Sequence, residues 1–354
     1  MNGTEDFTHH SSFIIHHSSS YDALLLVSFG GPEKREDVLP FLENVVRGKQ
    51  VPRDRLLEVA EHYYLFDGVS PINAQNRALL AALVAELNAH GPHLPVYWGN
   101  RNWHPLLADA VRQMADDGIR HALALVTSAF GSYSGCRQYL EDLERARQTV
   151  GLQAPRIDKL RLFFNHPGFI EAMVDRVRAA FEAIPPDRRA AARLIYTAHS
   201  IPRAMAQLSP YQQQLREACR LVSEGVGRAA WELVYQSRSG PPDQPWLEPD
   251  VGDYLLRLHR GGGARDVLLV PIGFLAEHME VIYDLDVEVA GLCESLGLNV
   301  VRAGVVGTHP RFVTMIRELI EERMAAAPSR PAEGSLGPSP DHCPPGCCLT
   351  QVTT

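Results

Sequence analysis

No stretch of this 354-residue sequence reaches the ~18 consecutive apolar residues needed to cross a bilayer, so no transmembrane helix is expected. Positive charge is also scarce. Against 42 Asp and Glu stand 34 Lys and Arg, for a net charge of −8, and no Lys/Arg-rich run occurs. This balance argues against a nucleic-acid partner, whose phosphates would need a basic face, and favours a small ligand. A secretory signal is missing too. Before Tyr21 the longest apolar run is Phe13-Ile14-Ile15, set among Ser and His with no cationic start, so residues 1–20 are read as a disordered leader outside the fold. Several chemical signatures are absent. There is no HExxH, no CxxC pair and no GxSxG, and Ser28-Phe29-Gly30-Gly31 lacks the GxGxxG or GKS/T pattern that cradles phosphates. A nicotinamide or nucleotide enzyme is therefore disfavoured. With no export signal, the six cysteines suggest reduced thiols or metal ligands rather than a disulfide framework, and a cytoplasmic setting.

What is present is the makeup of an ordinary globular protein, 45% hydrophobic and 21% charged, long enough for about two domains. Short apolar runs alternate with longer helical patterns. The strand candidates are Ala23 to Phe29, Val96 to Gly99, Ala122 to Ser128, Leu160 to Phe164, Arg193 to Ala198, Leu233 to Gln236, Asp266 to Ile272 and Asn299 to Val305. Near-continuous apolar strands separated by helices are what a parallel sheet covered on both faces requires. The fold class is thus α/β, with two sheets of four strands and domains at 21–157 and 158–308. Helical patterns include Glu280 to Leu296 and Pro310 to Ala326. Residues 327–354 begin with a Pro/Ser/Gly-rich stretch that cannot bury enough apolar surface to pack alone, and read as a flexible tail.

In open α/β sheets, ligands bind beyond the carboxyl ends of the strands. The loops there are loaded: Ser28-Phe29-Gly30-Gly31-Pro32, Gly99-Asn100-Arg101-Asn102, Gly131-Ser132-Tyr133-Ser134, Thr197-Ala198-His199-Ser200-Ile201-Pro202 and Gln236-Ser237-Arg238-Ser239-Gly240. Several should converge on one crevice between the sheets. His199 ends an apolar run and is followed by Ser200 and a proline that stops the strand, so its imidazole should project at the sheet edge. Glu280, Asp284 and Glu288 lie four residues apart and would form one acidic stripe on a helix. Like charges at that spacing repel, which is tolerated on a solvated face or where a cation or protons pass. An imidazole and a carboxylate across a crevice suit a divalent first-row metal and proton transfer, although spacing alone does not name the metal.

These residues resemble a known family. Thr197 to Pro202 is similar to the S-A-H-S-L-P signature of ferrochelatases, and Pro271 to Glu288 looks like their P-[IV]-G-F-x-x-[DE]-H-x-E-x-x-Y-[DE]-x-D segment. Leu26 to Pro32, Gly68-Val69-Ser70-Pro71-Ile72 and Gln236 to Asp250 sit in the family's order, so the likeness covers residues 21 to 326. Thr197, Ile201 and Tyr235 depart from the pattern without removing a titratable or metal-binding group. The resemblance implies two similar Rossmann-like, chelatase-type domains around a porphyrin cleft, with a last helix, 309–326, packed back on the first domain. It implies that His199 and Glu280 are the inner pair that inserts ferrous iron, with Asp284 and Glu288 as the outer end of a metal or proton path and His278 in support. Ser70 and Tyr139 match positions that contact the porphyrin, Tyr63 and Arg47 are further candidates near its propionates, and Phe29 stands where some relatives place an axial Tyr.

The cysteines carry a further implication. Cys343, Cys347 and Cys348 lie close together in the tail, and Cys136 just after the Gly131–Ser134 loop. Four thiolates suffice for a [2Fe-2S] cluster, and actinobacterial ferrochelatases that carry one look similar; zinc binding or simple oxidation are the alternatives. Cys219 and Cys293 read as small buried apolar side chains. The pattern resembles enzymes that metallate coproporphyrin III, with protoporphyrin IX as the alternative substrate, and a strongly apolar lip near residues 40–75 is not expected. A monomer in transient contact with other haem-pathway enzymes is the expected assembly. Two other readings are weighed: a different chelatase or a non-catalytic tetrapyrrole carrier, and a two-domain solute-binding protein, which would require an export signal.

Overall fold

A computed structural model describes residues 21–240, 243–262, 265–325, 329–344 and 346–349; the leader assigned to residues 1–20 lies outside them. Two four-stranded, wholly parallel sheets form the frame. The first has the order β2-β1-β3-β4, with β1 (Ala23–Ser28), β2 (Val96–Asn100), β3 (His121–Val126) and β4 (Arg156–Lys159). The second repeats it as β6-β5-β7-β8, with β5 (Arg193–His199), β6 (Glu232–Gln236), β7 (Asp266–Val270) and β8 (Asn299–Arg302).

The two-residue period of a strand explains how the halves are joined. In β1, Leu24 and Leu26 enter a core shared by both halves, whereas Ala23, Leu25 and Val27 enter an outer cluster belonging to the first half alone. In β7, Leu268 and Val270 face the shared core, and Val267 and Leu269 face the outer cluster of the second. Phe163, Phe169, Phe312 and Ile316 fill the middle. The Pro310–Met324 helix is wedged between the Ile72–His90 and Pro167–Glu182 helices, one from each half, with Arg317 on Glu86 at 2.9 Å and Arg311 on Glu171 at 2.6 Å. No helix among the described residues is long and apolar enough to cross a membrane.

Several sequence expectations are corrected. Residues Leu160 to Phe164 are not a strand: β4 is the polar Arg156–Lys159 immediately before them. As an edge strand paired only with β3, β4 does not need two apolar faces; the apolar run instead drops Leu160, Phe163 and Phe164 into the shared core. A boundary between 157 and 158 would therefore cut β4. The Val38–Val45 and Val251–Arg260 helices were not anticipated. The helix read from Glu280 to Leu296 is three pieces, Met279–Tyr283, a π-helical Asp284–Val289 and Ala290–Ser295.

The start of the tail is no loose linker. Asn165 donates to the Glu333 and Gly337 carbonyls at 3.0 and 2.9 Å, Ser335 donates its backbone N–H to Glu217 at 2.8 Å, and the Arg161 guanidinium reaches the Pro331 carbonyl at 2.9 Å. A segment poor in apolar residues is thus ordered through polar anchors on the body. Arg161 itself is fully buried and bidentate on Glu322, at 2.7 and 2.9 Å.

Candidate active site

The site lies where the carboxyl ends of β5 and β6 meet the turn after β7. His199 is the last residue of β5 and pairs in register with Gln236, the last of β6. Its Nδ1 lies on the Ser200 carbonyl, the Tyr211 hydroxyl donates to the His199 carbonyl at 2.9 Å, and the His199 Nε2 stands 3.3 Å from Glu280 Oε1. The backbone that presents Glu280 is fixed by His278, whose Nδ1 accepts the Glu280 N–H at 3.2 Å while its ring packs edge-on against Phe274.

The electrostatics make His199 and Glu280 an ion pair. Burial works against the His199 charge, but the Glu280 carboxylate outweighs it and raises the imidazole to about 9. Burial would likewise raise Glu280, yet His199 holds it far below the usual carboxylate range. His278, buried beside that charge, is lowered. Asp284 is pushed up to about 7, mainly by burial, with the Ser237 hydroxyl working against the repulsion of Glu280 and Glu288.

The π-helical turn that starts at Asp284 changes how the acidic stripe is presented. A π turn is wide and rare and is frequent at functional sites. Asp284 and Glu288 line a cavity of about 140 Å³ together with Gln236, Ser237 and Asp250. Asp284 receives the Ser237 hydroxyl and the Gln236 amide, whereas Glu288 is exposed.

From the first half, Tyr63 faces this group: burial first, then the charges of Glu280 and Asp284, raise its phenol. Phe29 is 36% exposed and, with Phe41, Tyr63 and Trp103, makes an aromatic wall. The Arg101 guanidinium sits 4.8 Å over the Tyr139 ring and 5.9 Å over Phe29, and is paired with Asp142 at 2.9 Å. Ser70 is buried beneath the Gly30-Gly31 loop, and its N–H donates to the Pro32 carbonyl at 2.9 Å. Arg47 is exposed and donates to the Asn44 side chain. The His62 ring stacks on Tyr283, 3.8 Å apart and within 11° of parallel, joining the Arg53–Tyr64 helix to the Met279–Tyr283 turn across the cleft. Gln236, Ser237 and Arg101 were named from sequence only as members of the loaded segments at strand ends, without a role of their own, and His62 and Tyr211 were not singled out; Gln236 closes β6 and Ser237 and Arg101 follow their strands directly.

The four cysteines meet away from this pair. The Cys136 and Cys343 thiols are hydrogen-bonded, Cys343 also contacts Cys347, and Cys347 Sγ is 3.5 Å from Cys348 Sγ. Lys159 lies beside them, and Arg137 holds the Cys347 carbonyl at 3.3 Å. The thiols form a chain of contacts. Among the described residues no three or more His, Cys, Asp or Glu side chains are arranged around a common metal position.

Two four-stranded parallel sheets facing one cleft define the chelatase fold. SirB from Bacillus subtilis with Fe3+ aligns with a TM-score of 0.54 at 16% identity, over 86% of this chain and 96% of that one. The sirohydrochlorin chelatase SirB from Bacillus subtilis subspecies spizizenii, in complex with cobalt, aligns at 0.50 and 14%, over the same shares. Sequence narrows the class: the ferrochelatase family model matches residues 21–324. The chain is 55% identical to the ferrochelatase of Rhodopirellula baltica, over 93% of each protein. It is 51% identical to the coproporphyrin III ferrochelatase of Streptomyces griseus, again over 93% of each, and 53% identical to that of Frankia alni, over 94% of this chain and 87% of the relative. The chain belongs to the ferrochelatase family and is a metal chelatase.

Proposed function

We propose that the protein inserts ferrous iron into coproporphyrin III, releasing two protons, with protoporphyrin IX as the alternative substrate. The observation that carries the chemistry is the His199–Glu280 pair, an imidazole and a carboxylate 3.3 Å apart at the strand ends. Metallation replaces two pyrrole N–H protons by one divalent ion. The site must therefore attract a cation and remove protons at one place. His199, once neutral, takes a pyrrole proton at Nε2, while the Ser200 carbonyl on Nδ1 keeps the ring aimed. Glu280 holds the iron or relays the proton. Asp284, with a proton affinity near neutral, and the exposed Glu288 pass protons outward or iron inward. Phe29 offers no oxygen to the product iron, and Phe29 and Tyr63 supply apolar surface to a flat ring, whereas Tyr139 is buried beneath Arg101 and could act only through it.

Support for coproporphyrin III comes from the names of the relatives at about half identity. Coproporphyrin III carries four propionates, and the rim agrees in part with such a ligand. Leu57, Leu65 and Val69 are exposed there, but they are interleaved with exposed Arg53, Arg55, Glu58 and Glu61. The deciding experiment is anaerobic ferrous-iron insertion followed by the loss of porphyrin fluorescence. Faster quenching with coproporphyrin III supports the reading, preference for protoporphyrin IX replaces the substrate, and activity with neither overturns it.

We also propose that Cys136, Cys343, Cys347 and Cys348 hold a [2Fe-2S] cluster. Four thiolates suffice for such a cluster, and the four thiols stand in one chain of pairwise contacts that would have to close around the iron. Anaerobically purified protein lacking iron–sulfur absorption and stoichiometric sulfide would remove this proposal. A cytoplasmic monomer that meets other haem-pathway enzymes transiently completes the reading.

A further inference from the structure

Four polar side chains are buried together at the carboxyl ends of the first sheet: Ser28 closes β1, Asn100 closes β2 beside it, and Asn73 and Asn76 stand in the first turns of the Ile72–His90 helix. The Asn76 amide donates to the Ser28 hydroxyl at 2.8 Å. Asn100 makes three side-chain hydrogen bonds. Its Oδ1 accepts from Trp98 Nε1 at 3.0 Å, and its Nδ2 donates to Asn73 Oδ1 at 3.2 Å and to the His104 carbonyl at 3.1 Å. Asn73 Nδ2 donates in turn to the Gly31 and His104 carbonyls, at 3.1 and 3.2 Å. Two loops are thereby pinned at one point, Phe29-Gly30-Gly31 through the Gly31 carbonyl and Arg101-Asn102-Trp103-His104 through the His104 carbonyl. The loops also hold each other, with the Arg101 N–H on the Ser28 carbonyl at 3.0 Å and the Asn102 N–H on the Phe29 carbonyl at 3.1 Å. Gly30, at a φ of +81°, lets the chain pass close over Asn100, where an added Cβ would lie 2.8 Å from the Asn100 Cβ. Apolar side chains would fill this volume at less risk, since a buried amide is costly whenever one of its bonds is missing. What the amides add is a single arrangement of both loops.

We infer that Asn100, assisted by Asn73, is a positioning residue for the porphyrin, holding the loops of Phe29, Arg101 and Trp103 at a fixed spacing so that the macrocycle meets a preformed wall. A wall that is already ordered spares the ligand the entropic cost of ordering it. The inference rests on the reading that a porphyrin binds in this cleft. Asn100 is fully buried and acts through the two loops.

Equilibrium binding separates this role from the chemistry. In Asn100→Ala and in Asn73→Ala the Kd for coproporphyrin III, read from porphyrin fluorescence without iron, should rise about tenfold, as expected when two or more buried hydrogen bonds are lost. The KM for ferrous iron, and kcat at saturating porphyrin, should stay within about twofold of wild type, because His199 and Glu280 stand on the other half. The double variant should fall short of the product of the single effects, since the two amides share a hydrogen bond and a carbonyl acceptor. Trp98→Phe, which removes one donor and keeps an aromatic ring, should weaken binding about threefold and serves where the alanine variants do not fold. An unchanged Kd in the folded variants, an iron KM that rises as much as that Kd, or single effects that multiply in full overturns the inference. A wild-type protein that binds neither coproporphyrin III nor protoporphyrin IX would instead sink the underlying reading.

Discussion

An imidazolium has no lone pair with which to accept a pyrrole proton, and Glu280 holds His199 in that form at neutral pH. With His199 raised to about 9, its neutral fraction is about 1% at pH 7 and about 10% at pH 8. As kcat/KM reports the protonation state of the free enzyme, the rate at low porphyrin should climb about tenfold per pH unit across this range. The slope depends only on the pH lying below the raised value. Replacing Glu280 by Gln keeps the shape and removes the charge. The Glu280 charge that offset burial is then gone, leaving only the Ser200 carbonyl and Asp284 to favour the imidazolium, so His199 is lowered and the variant should be slower throughout, for want of a carboxylate, with its rise in rate moved to lower pH. The assay is the initial rate of anaerobic fluorescence quenching at about pH 6.5–8.5, with porphyrin below its KM. A flat wild-type profile, or a Glu280→Gln variant that keeps the slope, refutes the reasoning. The same shifts fix the sign for stability. The His199 contribution is complete below its unfolded value of about 6.5 and fades as pH rises through about 9; that of Glu280 is present above about 4.5 and is lost as pH falls through its depressed value.

Three further outcomes are expected. Glu322→Ala strands the buried Arg161 guanidinium and should cost about 3–5 kcal/mol, or about 4–7 °C in melting temperature at this chain length. Arg161→Met should cost less, because Arg330 still meets Glu322 at 3.1 Å; calorimetry that reverses this order contradicts the account of the pair. Gly68→Ala should lower the urea midpoint by the equivalent of at least about 1 kcal/mol, since φ is +75° and an added Cβ would lie 2.4 Å from the Arg35 Cα; an unmoved midpoint would show that the loop relaxes freely. Asn165→Ala removes two anchors of the tail and should speed proteolysis within residues 329–342, and mass spectrometry showing the wild-type cleavage rate would argue against those anchors.

The sheets were largely legible because a strand buried on both faces must be apolar throughout, as in Leu24-Leu25-Leu26-Val27. The failure at β4 has the same root: Arg156-Ile157-Asp158-Lys159 is an edge, and the conspicuous run beside it belongs to the core between the halves. His199 and Glu280 stood out through position and through the family likeness. The grip of Gln236 and Ser237 on the turns that carry Glu280 and Asp284 did not, because a serine in left-handed backbone carries no sequence mark of its torsion angle. Nor did the π-helical turn, for Glu280, Asp284 and Glu288 keep a regular four-residue spacing on paper. The tail misled because composition records the apolar surface a segment can bury and is silent about carbonyls that wait for Asn165 and Arg161.

The two sheets repeat one strand order, so each position in one half has a counterpart in the other. At the place held in the second half by His199 beside Gln236, the first half has Ser28 beside Asn100, and there Ser28 turns inward to Asn76 at 2.8 Å. On the proposed function, the duplication is used once for chemistry and once for masonry. A planar guest bound as proposed above would meet the His199 and Glu280 side chains from the second half and the aromatic wall of Phe29, Phe41, Tyr63 and Trp103 from the first, which would give it a front and a back. A molecule with chemically distinct halves can keep its working surface and its resting surface apart without any moving part to separate them.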